Sequence, residues 1–427
     1  MLIRFLTLIS LWCITPSLKA QDTDNSKNEN RIFDEAIRTV QLSIGGAQLT
    51  LPIVDLKSSG GNLALAFDRI GPEIKDYLYT IVHCNSDWQP SELLDNEYIN
   101  GFAEDRILEV VSSVNTLTNY THYALQLPNK NMRWTVSGNY LLKIFDNDND
   151  RELVVIRRFC VVEPLWKTEI LQQTNTANVG KSNTHHELDF VVTHRGTRIP
   201  NPQSDTKAFV LQNGRWDNVI GPLKPQFVRN EQLVYDFQDK VVFPAGKEWR
   251  FFDMRTFESR GEWVTAISEL DDYYVVTLRT DQERKGHTYA YTSDLNGRYY
   301  IQNRHQNQTM IQCDYAKVFF SISRNLPEED AEVYVFGELS DWQLKPEFRM
   351  EYDPATKSYF CSPLLKQGFY NYQYVVVDTK TGKPDEEGFE GNWFETGNQY
   401  TTLVYYRSFG DRYDRLMSVV TIDTVRR

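Results

Sequence analysis

Catalytic signatures are missing from this chain. It contains no HExxH, no GxSxG, no Walker loop and no GxGxxG, so no zinc helix, nucleophile elbow or phosphate-cradling loop announces itself. Histidine is scarce, with only His83, His122, His185, His186, His194, His287 and His305. His185 and His186 are adjacent, and neighbours on a strand point to opposite faces and do not readily share a metal. Carboxylates are plentiful, but abundance alone places no pair across a glycosidic bond. The expectation is a non-enzymatic protein with no cofactor and no catalytic or metal residues. Positive charge is also in deficit: 46 Lys and Arg against 58 Asp and Glu leave a net charge of −12. That argues against nucleic acid as a partner, because neutralising phosphates needs a basic face.

Long apolar runs are confined to the first twenty residues. Arg4, the apolar stretch Phe5–Ile14 and Ala20 read as a secretory signal over residues 1–20. Cys13 lies between Trp12 and Ile14. It lacks the small neighbours of a lipid-attachment site and falls within the removed peptide. No later stretch approaches the ~20 apolar residues of a membrane helix, so an exported chain without direct membrane insertion is expected. Cys84, Cys160, Cys313 and Cys361 remain. The pairs Cys84/Cys160 and Cys313/Cys361 could bridge, and four buried free thiols are equally compatible with the sequence.

Helical periodicity is rare too, with Ile107–Val114 the best candidate for a helix. Short alternating stretches rich in β-formers, broken by Gly, Asn and Pro, dominate. Tyr77–His83 is the clearest strand. It ends in the polar turn Asn85-Ser86-Asp87, followed by Trp88. The tetrad Ser86-Asp87-Trp88-Gln89 recurs as Ser340-Asp341-Trp342-Gln343, and more loosely in Phe209–Asp217 around Trp216. Each copy is followed by a glycine and an aromatic-led strand, at Gly138-Asn139-Tyr140, at Gly246 with Trp249, and at Gly368-Phe369-Tyr370. Repetition at long spacing predicts tandem copies of one small domain. The fold expected is all-β, with tandem immunoglobulin-like or early-set β-sandwiches. A flexible leader spans 21–31, and the three domains cover 32–164, 165–312 and 313–427 including a charged tail. Trp88, Trp216 and Trp342 read first as packing residues at sandwich ends and second as contact residues. Asp146, Asp148 and Asp150 have the opening spacing of a calcium loop, but Arg151 and Arg157 occupy the positions where Gly and Glu are required, so the run reads as a hairpin tip.

HCNSDWQPSEL at 83–93, EYINGF at 97–102, NYTHYALQLPN at 119–129, SGNYLLKIFD at 137–146 and RRFCVVEP at 157–164 resemble, in this order, the plug protein family of the Bacteroidota type IX secretion system. The resemblance covers the first domain. It implies a periplasmic protein, associated with the outer membrane through its partner, that closes the inner mouth of a very large translocon barrel. It brings no catalytic residues. The turn supplies candidate partner contacts: Asn85, Asp87, Trp88, Gln89 and Glu92. The third domain, with VYVFGELSDWQ, GFYNYQYVVVD and Gly391–Phe394, is similar to early-set sandwiches found beside glycan-active enzymes. That similarity implies an alternative, glycan binding through Trp342 and Trp393.

Overall fold

The computed structural model describes residues 28–57, 61–176, 178–304 and 310–424. The signal and most of the leader expected at the start of the chain lie outside these residues. Within them the fold is all-β, and its three α-helices have four residues each.

The first sandwich faces two sheets, antiparallel except where Ile53–Asp55 runs parallel to Glu152–Val162. One runs Arg31–Ile32, Glu152–Val162, Gly138–Asp146, Tyr77–Cys84, Asp105–Arg106. The other runs Ile37–Ile44, Leu63–Ile70, Tyr120–Leu127, Glu109–Ser112. Alternation sends Leu65, Phe67, Tyr79, Ile81, Tyr123, Leu125 and Phe159 into one core between them. Tyr140, two residues into the Gly-led strand, donates its hydroxyl to the Val136 carbonyl at 2.8 Å. Tyr370 does the same to the carbonyl of Lys366. Both are the tyrosine corner of immunoglobulin-like sandwiches.

Ile107–Val114 is not helical. Its centre, Glu109–Ser112, is a strand at the edge of the second sheet. Ile107 and Val110 turn inward while Leu108 and Val111 stay exposed. β-branched Val110 and Val111 favour the pleated surface over a helix.

Strand pairing does not follow the chain linearly. Arg250–Asp253 and Tyr299–Ile301 pair with Gly368–Asp378, in an eleven-stranded assembly that holds the third core. Gln399–Tyr406 and Arg415–Asp423 instead join Thr206–Gln212 and Ile220–Leu223. They close the middle core against the sheet built on His185–Thr193. The repeat is thereby corrected in its second copy. The strand before each tryptophan turn pairs with its own Gly-led strand: Tyr77–Cys84 with Gly138–Asp146, and Ala331–Phe336 with Gly368–Asp378. In the middle sandwich the partner of Thr206–Gln212 is Gln399–Tyr406, preceded by Gly397. The stretch after Gly246 belongs to the third sandwich. Between the middle sandwich and its last two strands, the chain makes the whole third sandwich.

Cys84 and Cys160 sit on the two strands that flank Asn139. Two strand spacings separate their Cα atoms by roughly 10 Å, beyond disulfide reach. The four cysteines of the described residues are buried, and none is joined to another by a disulfide. Burial pushes the thiols of Cys84, Cys160 and Cys361 up to about 12.

Candidate interaction site

The tryptophan turns are where the sandwiches meet. At the first turn, the Trp88 N–H donates to Asn85 O at 2.9 Å and the Asn85 N–H donates to Gln89 O at 2.8 Å. Trp88 adopts φ +65°, a costly conformation for a bulky residue. Its ring is buried edge-on against Trp216 of the middle sandwich, centroids 4.8 Å apart. Arg158 lies 4.4 Å above the Trp88 ring and 5.7 Å from that of Trp216, a cation–π stack in a desolvated place. Burial lowers the Arg158 pKa to about 10. Around this stack Cys84, Leu141, Ile156, Leu211, Leu403, Tyr405 and Leu416 form one apolar cluster drawn from both sandwiches.

The same turn is tied at its polar end. Ser86 donates its N–H and its hydroxyl to Asp414, at 3.0 and 2.7 Å. Arg407 and Lys207 pair with the same carboxylate at 2.8 and 3.0 Å. Burial opposes ionisation of Asp414, but these donors outweigh it and hold its pKa below the usual range. Of the expected contact residues, Trp88 therefore faces inward, and Asn85 accepts a bond from Arg407 at 2.6 Å. Asp87, Gln89 and Glu92 are exposed.

At the third turn Trp342, at φ +57°, packs on Trp249 and Phe336 with centroids 5.5 and 5.9 Å away. Gly297 is obligatory here: a Cβ on it would lie 2.5 Å from the Trp342 ring. Arg215 of the middle turn lies 5.0 Å from the centre of the Trp342 ring and binds Glu386 and Asp217 through its fork. Trp393 is half-buried beneath Lys247, whose Nζ is 4.1 Å from the ring centroid. Both tryptophans of the glycan alternative are thus covered by cations of the protein itself.

First and third sandwiches are joined by buried charge. Asp68 and Lys366, each fully buried, form an ion pair across the junction. Asp68 also receives bonds from Tyr315 at 2.7 Å and His122 at 2.6 Å. Burial alone would raise the Asp68 pKa, but Lys366 and His122 reverse the sign and hold it low. Arg157 reaches Asp341 at 3.0 Å, and Asp314 accepts the N–H groups of Leu117 and Thr118. Sequence reading assigned none of these residues to a junction. Their one signal is an isolated charge ending an apolar stretch, as in LALAFD at 63–68 and PLLK at 363–366.

The Asp146–Asp150 tip is tied internally. Asp146 accepts the Asp148 N–H at 2.9 Å and lies 3.6 Å from Lys75, while Asp148 accepts the Asp76 N–H at 3.1 Å. Among the described residues, no group of three or more His, Cys, Asp or Glu is placed to hold a metal ion. No helix among them is long and apolar enough to cross a membrane.

A sequence-missed apolar row also runs along the first sandwich. Ser91–Arg106 descends the outer side of strand Tyr77–Cys84 and is continued by Ile107–Val114 along the edge of the second sheet. It is fastened by Ser91 N–H to His83 O at 2.9 Å, Thr80 Oγ1 to Ala103 O at 2.6 Å, and the pairing of Asp105 and Arg106 with Tyr79 and Leu78. Leu94, Phe102 and Leu108 project from it at 67, 63 and 76 % exposure.

Residues 37–163 match the family model described as the Type 9 secretion system plug protein 1st domain. The chain belongs to the type IX secretion system plug family. The plug-family chain also aligns with the crystal structure of a hypothetical protein from Parabacteroides merdae ATCC 43184, at 34% identity and a TM-score of 0.88, over 93% of this chain and 99% of that one. The crystal structure of BcpA, the major pilin subunit of Bacillus cereus, aligns at 11% identity over 56% of this chain and 65% of that one. Its TM-score of 0.15 carries no argument. No curated protein matches.

Proposed function

We propose that this protein is a non-catalytic stopper that binds the periplasmic mouth of the outer-membrane translocon barrel of the type IX system and closes it. The observation that carries the reading is the plug-domain match over residues 37–163. The architecture suits the task. A channel wide enough for folded cargo leaks solutes unless a body of fixed shape fills its mouth. Three sandwiches joined by buried ion pairs and shared apolar clusters form such a body without a mobile lid. Release then requires a competitor or a second conformation with different affinity for the barrel. The protein acts in the periplasm after loss of residues 1–20, held at the outer membrane by its partner. Asp87, Gln89 and Glu92 are the contact candidates on the exposed part of the first turn.

The test is uptake of a large polar dye or antibiotic in cells lacking this protein, the barrel, or both. The single deletion of the stopper is expected to leak, and the double deletion to be tight again, because no open pore remains. A stopper deletion no leakier than wild type, with the barrel present and uncovered by another protein, refutes the reading.

A further inference from the structure

We infer that the stopper seats through the flank formed by Ser91–Val114, extended by the tip that joins Gln399–Tyr406 to Arg415–Asp423, and that the protein surface it meets is apolar with a basic border. The inference rests on the stopper reading and adds to it the face and the chemistry of the partner.

The first argument is surface. Phe409, at that tip, is 97 % exposed. Its loop is brought beside the flank by Arg412, which donates to Glu92 O at 3.2 Å and pairs with Glu97. Leu94 lies between those two acceptors in sequence, and Phe102 follows after one short strand. At ~200 Å² per ring, Phe102 and Phe409 together expose on the order of 300 Å² of apolar surface. With Leu94 and Leu108 added, the row reaches the size at which an exposed patch marks an interaction site.

The second argument is preorganisation. The flank is bonded to the Tyr77–Cys84 strand from Ser91 to Arg106, a length of roughly 17 Å at strand rise. The tip is braced by Arg407 with Asp414 and by Ser408 N–H to Asp411 at 3.2 Å. Anchors already held in place lose little entropy on binding, and exposed aromatics of this kind become hot spots.

The third argument is charge. Glu97 and Glu104 are neutralised by Arg412 and Arg151. Glu92, Asp95 and Glu109 are exposed and have no ion pair among the described residues. Arg106, on the flank itself, is exposed and pairs with Asp76 at 3.3 Å, and Arg133, across from Asn100, is exposed as well. The excess is negative, so a complementary border carries Lys or Arg.

The experiment uses the full mature chain with an affinity tag, recovered from gently solubilised outer membranes. Wild type is expected to bring down the barrel, and F102D/F409D to recover at least tenfold less. V228D, which alters an exposed apolar site on the middle-sandwich edge strand Phe227–Arg229, is expected to recover wild-type amounts. Undiminished recovery by F102D/F409D overturns the inference and leaves the stopper reading standing. Loss with V228D alone also overturns it. Wild type that captures no barrel overturns the stopper reading, and this inference with it. A dimer of wild type that F102D/F409D dissociates assigns the face to a second copy and overturns the inference as well. Should F102D/F409D melt early, a photo-crosslinking residue at 102 or 409 in the otherwise wild-type chain replaces it. A crosslink to the barrel from those positions and none from 228 supports the inference, and the reverse overturns it.

Discussion

Replacing Lys366 by Met removes one half of the charge pair that joins the first and third sandwiches. Asp68 keeps Tyr315 and His122 as partners but loses its buried cation. Breaking a buried pair from one side costs about 3–5 kcal/mol, because the remaining carboxylate is desolvated without compensation. For a unit of ~150 residues that is a fall in melting temperature of roughly 6–20 °C. Adding Asp68→Asn removes the orphaned charge, while an Asn can still accept from Tyr315. The double variant is therefore expected to recover about 2 kcal/mol or more relative to Lys366→Met alone, a coupling measurable in a double-mutant cycle. Urea unfolding at pH 7, followed by tryptophan fluorescence, gives all four corners. Limited proteolysis reports whether the two sandwiches loosen first. If Lys366→Met is as stable as wild type, or the double variant is simply the sum of the singles, the junction is not held by this pair.

Three further perturbations test the structure. Trp88→Ala is expected to cost about 3–5 kcal/mol in urea unfolding, because the ring fills the first–middle junction against Trp216 and Arg158; unchanged stability would return Trp88 to the role of a contact residue. His83 is buried, and burial depresses its pKa to about 4, so the unfolded chain takes up a proton that the folded one does not. That stability is present above the ordinary value near 6.5 and is lost as pH falls toward 4, by about 2 kcal/mol between pH 7 and pH 5; a His83→Gln variant that keeps the full slope assigns it elsewhere. The four cysteines are expected to resist a thiol reagent in the native mature chain and to titrate as four thiols after unfolding without reductant, whereas fewer than four would reveal a disulfide.

Local chemistry was legible and long-range pairing was not. Tyr77–His83 stood out because alternation and β-formers agree there, and the two tyrosine corners were visible as Gly-x-Tyr before a strand. Ile107–Val114 was misread because eight residues with apolar groups at mixed spacing fit either period. The second Gly-led strand was misassigned for a different reason. Gly246-x-x-Trp249 satisfies the local pattern, but the partner that Thr206–Gln212 takes lies nearly two hundred residues downstream, and no local signal reports that distance. The turn tryptophans were recognised as packing residues, yet Trp88 packs on Trp216 of the middle sandwich and Trp342 takes Arg215 from the middle turn, contacts that a single-domain reading of each repeat does not supply. The exposed row Leu94, Phe102, Leu108 was invisible because scattered apolar residues in a loop look the same whether they face inward or outward.

The late return of the chain to the middle sandwich sets an order for its assembly. Thr206–Gln212 has one flank open until Gln399–Tyr406 arrives, and the apolar contacts made by Leu403, Tyr405 and Leu416 with the first sandwich arrive with it. As the chain emerges amino end first, the first and third sandwiches are each contiguous enough to close. The middle one waits for the final strands, at the entropic cost of closing a loop of that length. A chain interrupted before Gln399 thus presents an unpaired edge and a bare apolar face together, a substrate for proteases. Only a complete chain becomes a closed body, which makes its last two strands a built-in check on completeness before any partner is met.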